Sequence, residues 1–381
     1  MDIVKGYKVR IYPNVNQRQS LLRTMGACRW IYNHFLEEKR DYYLENKKSL
    51  NYGMTSKQLT QLRKEVDWLN EVQFQPLQQS LRQLDVAYNR FFRKQARFPK
   101  FKSRNRSKQT FKKVTGWRIE GNKLFVANDM SMRFRGTFPD KREGTLTISA
   151  DASGKWYAST QAIVTAKLPQ LNGSVGLDMG LKSLVITSKG ESYPKLPILS
   201  TRSEQKSLSR KTKGSKSRQK ARSVLAKRHT KVTNIRKNHL HHISKAITSK
   251  NHAVIAVEDL AVKNMLRNHK LARSISNASW GELLRQLKYK QEWLGGRFVS
   301  IGRFFPSSKT CSTCHFILDT LPLSVRAWDC PKCNSHHDRD VNAAKMILQQ
   351  AGELLGVERL ALATASAGGE TSSVKLGYAQ G

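Results

Sequence analysis

The chain has 381 residues, and 68 Lys and Arg against 28 Asp and Glu give it a formal net charge of +40. Hydrophobic residues make up 39% of it, enough for two or three domains with a sizeable core. Such an excess repels itself unless a polyanion neutralises it, so the composition points to nucleic acid and argues against small-metabolite enzymes and disulfide scaffolds. No apolar run approaches the roughly 20 residues of a membrane span, and the N-terminus has no signal-peptide pattern.

Tyr7 to Pro13 alternates apolar and basic residues, which predicts a short half-exposed strand ended by proline. Three helices should follow. In the first, Leu21, Met25, Cys28, Tyr32 and Phe35 recur at helical spacing, which makes Cys28 a small buried hydrophobe. The second covers about 55–66. The third has Pro76 in its first turn and Leu77, Leu81, Leu84, Tyr88 and Phe91 on one face. From Asn89 to Lys113, eleven Lys and Arg meet no acid and interleave with Phe91, Phe92, Phe98, Phe101 and Phe111. Each phenylalanine taken alone reads as core, but the segment as a whole reads as nucleic-acid binding. Arg93, Lys100, Lys102 and Arg104 are its candidate contacts.

Residues 116–165 show short β-type runs separated by turn chemistry at Gly121-Asn122 and Ala152 to Lys155. They suggest a small barrel that also recruits the N-terminal strand, with the helices as an insertion. Val175 to Ser188, turning at Lys189-Gly190, reads as the first hairpin of an α/β domain. Arg202 to Lys250 holds sixteen Lys and Arg against Glu204 alone. Val232, Ile235, Ile243 and Ile247 give part of it an apolar stripe, which predicts a long helix with a basic face. Lys213, Arg218, Arg222 and Arg228 are candidate contacts there. Ala253 to Val257 is a continuous apolar run, typical of a strand buried on both faces. Residues 353–381 are expected to form a flexible tail.

Cys311-x-x-Cys314, fifteen residues, then Cys330-x-x-Cys333 is the spacing of a closed four-thiolate Zn²⁺ site. With no position left for water, such a zinc is structural and holds a module too small to fold alone. Lys309, Arg326, Trp328 and Lys332 make that module a candidate nucleic-acid contact.

In so basic a chain, acids beside apolar runs need a reason. Asp178 lies between Leu177 and Met179, Glu258 ends the run at Val257, and Asp340 opens a helical stretch. Three such carboxylates converging make a hard oxygen site for two Mg²⁺ ions, the ribonuclease H-like solution to phosphodiester cleavage. Each acid alone also has a structural reading: Asp178 in a turn, Glu258 as a surface strand end with Asp259 the functional neighbour, Asp338 and Asp340 as successive helix caps.

Gly176-Leu-Asp-Met-Gly180, Val257-Glu-Asp-Leu260, Phe305-Pro-Ser-Ser-Lys-Thr-Cys-Ser312 and His337-Asp-Arg-Asp-Val-Asn-Ala-Ala344 together resemble the TnpB (OrfB) family of insertion-sequence proteins, whose wider relatives are the type V CRISPR effector nucleases. The basic stretch Lys213 to Lys237 and Trp280-Gly-Glu-Leu283 with Leu287-Lys-Tyr-Lys290 resemble it too. The resemblance implies an α/β multidomain RNA-guided DNA endonuclease. It would have a ribonuclease H-like (RuvC-like) nuclease domain over 171–303 and 336–352 and an inserted zinc ribbon, 304–335, that binds target nucleic acid. A wedge-like β-barrel (1–13 and 110–170) with a helical recognition insertion (14–109) would precede them. The implied catalytic Mg²⁺ ligands are Asp178, Glu258 and Asp340. The implied partners are a guide RNA from the transposon end and double-stranded target DNA read beside a short motif, in a prokaryotic cytoplasm at the nucleoid. The rival readings are a cleavage-inactive guided repressor, a transposition accessory protein and a strand-joining transposase.

There are two departures from the family pattern. His315 and Asn334 stand where glycine is usual after the second and fourth cysteines, at positions that tend towards positive φ. Met346 replaces a usual asparagine in the last helix.

Overall fold

The computed structural model describes residues 1–104, 108–127, 129–139, 144–197, 199–322 and 324–356. Arg106 and all of the expected tail beyond 356 lie outside them. The chain forms two compact units: residues 1–166 with 201–230, and residues 167–200 with 231 onward.

In the first unit, strand β1 (Asp2–Tyr12) precedes three helices, α1 (Val15–Asn46), α2 (Tyr52–Glu65) and α3 (Phe74–Phe92). Pro13 stops the strand's ladder, and Asn14 caps α1 by accepting from Gln17 N–H, while the Gln17 side chain accepts from Asn14 N–H. The predicted stripe is buried, from Leu21 through Phe35, with Cys28 among it. Burial pushes the Cys28 thiol up to about 12, so it behaves as a hydrophobe. Strands β2 (Gln109–Lys113), β3 (Arg118–Glu120), β4 (Lys123–Ala127), β5 (Met130–Arg135), β6 (Leu146–Ala150) and β7 (Trp156–Thr165) follow.

These strands and β1 form one antiparallel sheet in the order β2-β6-β7-β1-β5-β4-β3. The N-terminal strand is therefore recruited, as expected, and begins at Asp2 rather than Tyr7. The expected barrel is not closed: among the described residues no ladder joins the edges β2 and β3. Alternation along β6 and β7 puts Leu146, Ile148, Trp156 and Ala158 into one core with Ile31, Phe35, Leu77 and Leu84 of the helices.

Of the five interleaved phenylalanines, only Phe111, on β2, is buried, at 3% exposure. Phe91 is half-buried, whereas Phe92, Phe98 and Phe101 are 65%, 44% and 51% exposed. Core placement is thus wrong for these three. Phe92 is the last residue of α3 and points away from the buried stripe, while Phe98 and Phe101 lie past the helix, where helical spacing no longer aims rings inward.

The basic stretch holds a short helix, α4 (Arg202–Ser209), and the expected long helix, α5 (Lys216–Thr248), with Gly214 at φ +89° between them. Residues 201–230, expected to stay with the second domain, cluster with the first unit. Val232, Ile243 and Ile247 are buried as predicted, but Ile235 is 37% exposed.

The second unit contains β8 (Ser174–Asp178), β9 (Ser183–Thr187), β10 (Ser192–Pro194), the rest of α5 and β11 (Val254–Glu258). Helices α6 (Val262–Met265), α7 (Ala272–Ala278) and α8 (Trp280–Trp293) lead to β12 (Arg297–Ile301). Strands β13 (Ala327–Asp329) and β14 (His336–Asp338) form a small hairpin that runs straight into α9 (Arg339–Leu354). The predicted run 175–188 is two strands separated by the turn at Gly180; the turn at Lys189-Gly190 begins a second hairpin. The hairpin carries the ribbon to Asp338, three residues past its expected end.

The main sheet has the order β10-β9-β8-β11-β12, with β8, β11 and β12 parallel. Both faces are covered, which is why β8 and β11 read as continuous apolar runs. Val175, Leu177, Ile255 and Val257 pack towards Leu240, Ile243 and Ile247 of α5 and Trp280, Leu283 and Leu287 of α8. Ala256 and Ile301 pack on Ile347, Leu348 and Ala351 of α9. Met346, which replaces the usual asparagine, is 3% exposed.

Gly176 pairs with Ala256 on the face that α9 covers. A Cβ built on Gly176 would lie 2.0 Å from Ala344 O and 3.0 Å from Leu348 Cβ. Gly176→Ala should therefore push α9 off the sheet at a cost of about 2–3 kcal/mol and lower the unfolding midpoint of the second unit by about 5–10 °C, measured by differential scanning calorimetry.

Lys102 offers a second test, in the first unit. Its Nζ sits 3.7 Å from the Tyr32 ring centroid and 3.4 Å from Gln83 Oε1. Burial holds its pKa down to about 8, with the charge of Lys112 a smaller cause. A lysine lowered from 10.5 binds fewer protons folded than unfolded between those pH values, so stability rises as pH climbs from 8 towards 10.5. Lys102→Met should stabilise the unit by about 1–3 kcal/mol at pH 7, and pH-resolved thermal melts should show that gain shrinking above pH 8.

Candidate active site and zinc ribbon

Side chains along a strand alternate between faces with period two. Asp178 and Glu258 lie two residues beyond the paired Gly176 and Ala256, so both end their strands on the face under α9. They stand at the carboxyl ends of adjacent parallel strands, where α/β sheets present ligand sites. Asp340 occupies the first turn of α9. Its helix is capped by Asp338, whose Oδ1 accepts from the N–H groups of Asp340 (3.0 Å) and Val341 (2.9 Å). The two acids therefore divide the work, Asp338 capping and Asp340 free to face the sheet.

Asp178 feels both of the other carboxylates. Asp178 is pushed up to about 7, first by burial, then by the charges of Asp340 and Glu258; the Met179 N–H and the charge of Arg339 pull the other way. Glu258 is raised too, by burial and then by its neighbour Asp259. Asp259 itself turns outward and pairs with Arg303. Arg326, from the segment before β13, lies 3.4 Å from Asp340 Oδ1. Carboxylates on two adjacent strand ends and one helix turn are the donor type that suits a hard divalent ion, although among the described residues only the cysteines below bring their ligand atoms within 4.8 Å of one another.

The four cysteines converge with their Sγ atoms all within 4.8 Å of one another. Cys311 to Cys333 is 3.7 Å and Cys314 to Cys330 is 3.5 Å. A tetrahedron with Zn–S of about 2.3 Å requires S···S separations of about 3.8 Å, so the residues fit zinc. Each knuckle repeats the same turn. His315 N–H donates to Cys311 O (3.0 Å) and Asn334 N–H to Cys330 O (2.8 Å). Both residues adopt the expected left-handed backbone, φ 60° and 55°. Trp328 is not available as a contact: it is 7% exposed, against the His337 ring. His337 Nε2 lies 3.1 Å from Cys311 Sγ. The residue code of the pair, His336-His337, did not reveal this, because only the β13–β14 register decides which histidine turns inward.

The candidate nucleic-acid contacts separate by environment. Arg93, Lys100, Arg104, Lys213 and Arg222 are exposed. Lys102 is half-buried, as described above. Arg218 donates to Leu208 O and Lys211 O, holding the α4–α5 link, and Arg228 pairs with Glu204 at 3.5 Å. Lys309 donates to Asp319 O within the ribbon. Arg104 shares an open groove of about 480 Å³ with Arg23 and Arg29 of α1. Those two arginines gave no sequence signal, since they are dispersed along a helix rather than run together. No helix among the described residues is long and apolar enough to cross a membrane.

Comparisons with known proteins identify the family. Residues 280–347 match the family model "Cas12f1-like, TNB domain", 157–269 match "Probable transposase" and 1–48 match "Helix-turn-helix domain". Over 1–48 the chain forms β1 and the single helix α1, not two helices. The chain is 38% identical over 360 residues to a Streptomyces pristinaespiralis protein named "Putative RNA-guided DNA endonuclease", covering 91% of this chain and 89% of that one. It is 32% identical to the Escherichia coli K12 protein named "Putative RNA-guided DNA endonuclease InsQ", covering 91% and 92%. The fold resembles the protein in a Cas12f1-sgRNA-target DNA complex, with TM-score 0.57, 13% identity and 91% and 98% of the two chains covered. On this similarity along nearly its whole length, the chain belongs to the TnpB (OrfB) family of insertion-sequence RNA-guided nucleases, relatives of the type V CRISPR effectors.

Proposed function

We propose that the protein is an RNA-guided DNA endonuclease that hydrolyses target DNA beside a short recognised motif, in the RuvC manner. The observation that carries the reading is Asp178, whose carboxyl is pushed to about 7 by burial and by the charges of Asp340 and Glu258. In this reading the α/β unit is the ribonuclease H-like domain. Asp178, Glu258 and Asp340 would hold Mg²⁺ ions, which would supply an activated water and stabilise charge on the leaving oxygen of the phosphodiester.

The chain's own residues do the rest. The ends of β8 and β11 fix two carboxylates, and the capped first turn of α9 fixes the third. The sheet and α9 exclude water from the apolar side of the cluster, which strengthens its electrostatics. The zinc ribbon, with zinc as a structural ion, belongs to target-strand binding. The first unit, with its antiparallel sheet, inserted helices and the exposed rings of Phe92, Phe98 and Phe101 among Arg93, Lys100 and Arg104, provides stacking and phosphate contacts for RNA and duplex DNA. Guide RNA from the transposon end and double-stranded target DNA are the partners, in the prokaryotic nucleoid.

The chain should be co-expressed with its flanking transposon-end DNA, its bound RNA sequenced, and the complex given Mg²⁺ and plasmids randomised beside a guide match. Cuts should be confined to plasmids sharing one adjacent motif. Asp178→Ala, Glu258→Ala and Asp340→Ala should each reduce cleavage about a thousandfold or more while retaining RNA and target binding. RNA and target bound without any cut in the unmodified protein would make it a repressor-like binder, and joined strands would make it a transposase. Absence of bound RNA would overturn the guided reading.

A further inference from the structure

Asn342 is 1% exposed, and its amide bridges helix α9 to the first cysteine knuckle. Its Oδ1 accepts the Ser312 N–H at 2.9 Å, and its Nδ2 donates to Thr310 O at 2.7 Å and approaches Ser307 O at 3.5 Å. Gln349, two turns further along α9, donates from Nε2 to Ser312 O at 3.0 Å. Ser312 lies inside the Cys311-x-x-Cys314 knuckle, and both of its peptide groups are therefore held by side chains of α9. Two residues before Asn342, on the same helix, stands Asp340.

We propose that Asn342 is a positioning residue that clamps the zinc knuckle to α9, so that zinc in the four-cysteine site fixes the first turn of α9 and with it Asp340. The inference deepens the nuclease reading, and the coupling has a clear physical route. Without zinc the knuckle, which has little apolar surface of its own, loses its fixed shape. Thr310 O and Ser312 N–H then leave the buried amide, whose donors and acceptor become unsatisfied. An asparagine is needed because one face must accept and the other donate: aspartate offers no donor, and alanine leaves both backbone partners orphaned. The β14 connection contributes through Arg339, whose N–H donates to Arg326 O and whose Nη1 donates to Pro322 O. It joins α9 to a different part of the ribbon; at the knuckle, His337 of β14 reaches the Cys311 sulfur, while the side chains of α9 that hold its backbone are Asn342 and Gln349.

The test uses the full chain, zinc-loaded and zinc-stripped, in unmodified and Asn342→Ala forms. Amide hydrogen exchange is followed over 339–346, and Mn²⁺ affinity is read by electron paramagnetic resonance. Co²⁺ substitution checks from its thiolate charge-transfer bands that the variant keeps four sulfur ligands. In the unmodified protein, stripping zinc should speed exchange and weaken Mn²⁺ binding about tenfold or more. In Asn342→Ala, the zinc-loaded protein should already show the fast exchange, and stripping should change it by less than about twofold. Loss of stability alone would not remove this zinc dependence.

Ser312→Ala should behave as the unmodified chain, since both Ser312 bonds come from its backbone. An Asn342→Ala protein with unmodified zinc dependence overturns the proposal, as does an unmodified protein whose α9 exchange ignores zinc. Should Asn342→Ala fail to fold, Gln349→Ala decides: the zinc dependence falls part-way, or the clamp is wrong. An unmodified protein that binds no Mn²⁺ would sink the nuclease reading, while hydrogen exchange would still judge the clamp.

Discussion

Helix α9 and strand β8 approach so closely that the backbone carbonyl of Ala344 occupies the place where a Cβ on Gly176 would stand. That contact organises the second unit. It sinks α9 into a trough floored by Gly176 and Ala256, buries Ile347, Leu348 and Ala351, and sets the height of the helix's first turn above the ends of β8 and β11. The glycine is therefore a matter of space rather than of unusual φ. Since strand side chains alternate, the residues two further along, Asp178 and Glu258, come out under the same helix, where Asp340 waits.

The electrostatics follow from the packing. A chain with a net charge of +40 gathers three carboxylates into one partly desolvated place and leaves Arg326 and Arg339 as their nearby cations. An excess of positive charge favours phosphates as partners, and the three acids are the exception to it, the donors that the proposed mechanism assigns to divalent ions. Basic residues elsewhere do different jobs. Some are exposed to solvent, whereas Arg218 and Arg228 tie the α4–α5 segment together and Lys102 lies against Tyr32. Charge type in a basic run thus does not tell ligand contacts from intramolecular ties.

The zinc ribbon shows how a small module is supported from outside. Its own apolar content is little more than Trp328 and the cysteines with a few partly buried neighbours. Two identical knuckle turns, the β13–β14 hairpin and the side chains of Asn342 and Gln349 supply the remaining constraints. His315 and Asn334 take the left-handed backbone that glycine usually supplies, at a modest steric cost met by the N–H bonds to Cys311 O and Cys330 O.

Much of this was legible in the sequence because the signals are local. The spacing of four cysteines, the apolar runs at Val175 and Val254, the α1 stripe and three acids at the edges of apolar segments each need only a few neighbouring residues to be recognised. What failed was the core reading of three phenylalanines. Phe92 is the exposed last residue of α3, and Phe98 and Phe101 lie beyond it. The sequence by itself determined the four-cysteine ligand set, the strands buried on two faces and the large positive charge, since residue type and spacing decide those. Only the tertiary structure decided that the antiparallel sheet stays open, that His337 rather than His336 meets Cys311, that Trp328 is interior and that Asn342 binds the knuckle. Those outcomes depend on register and on contacts between residues distant in the chain, which no local pattern encodes.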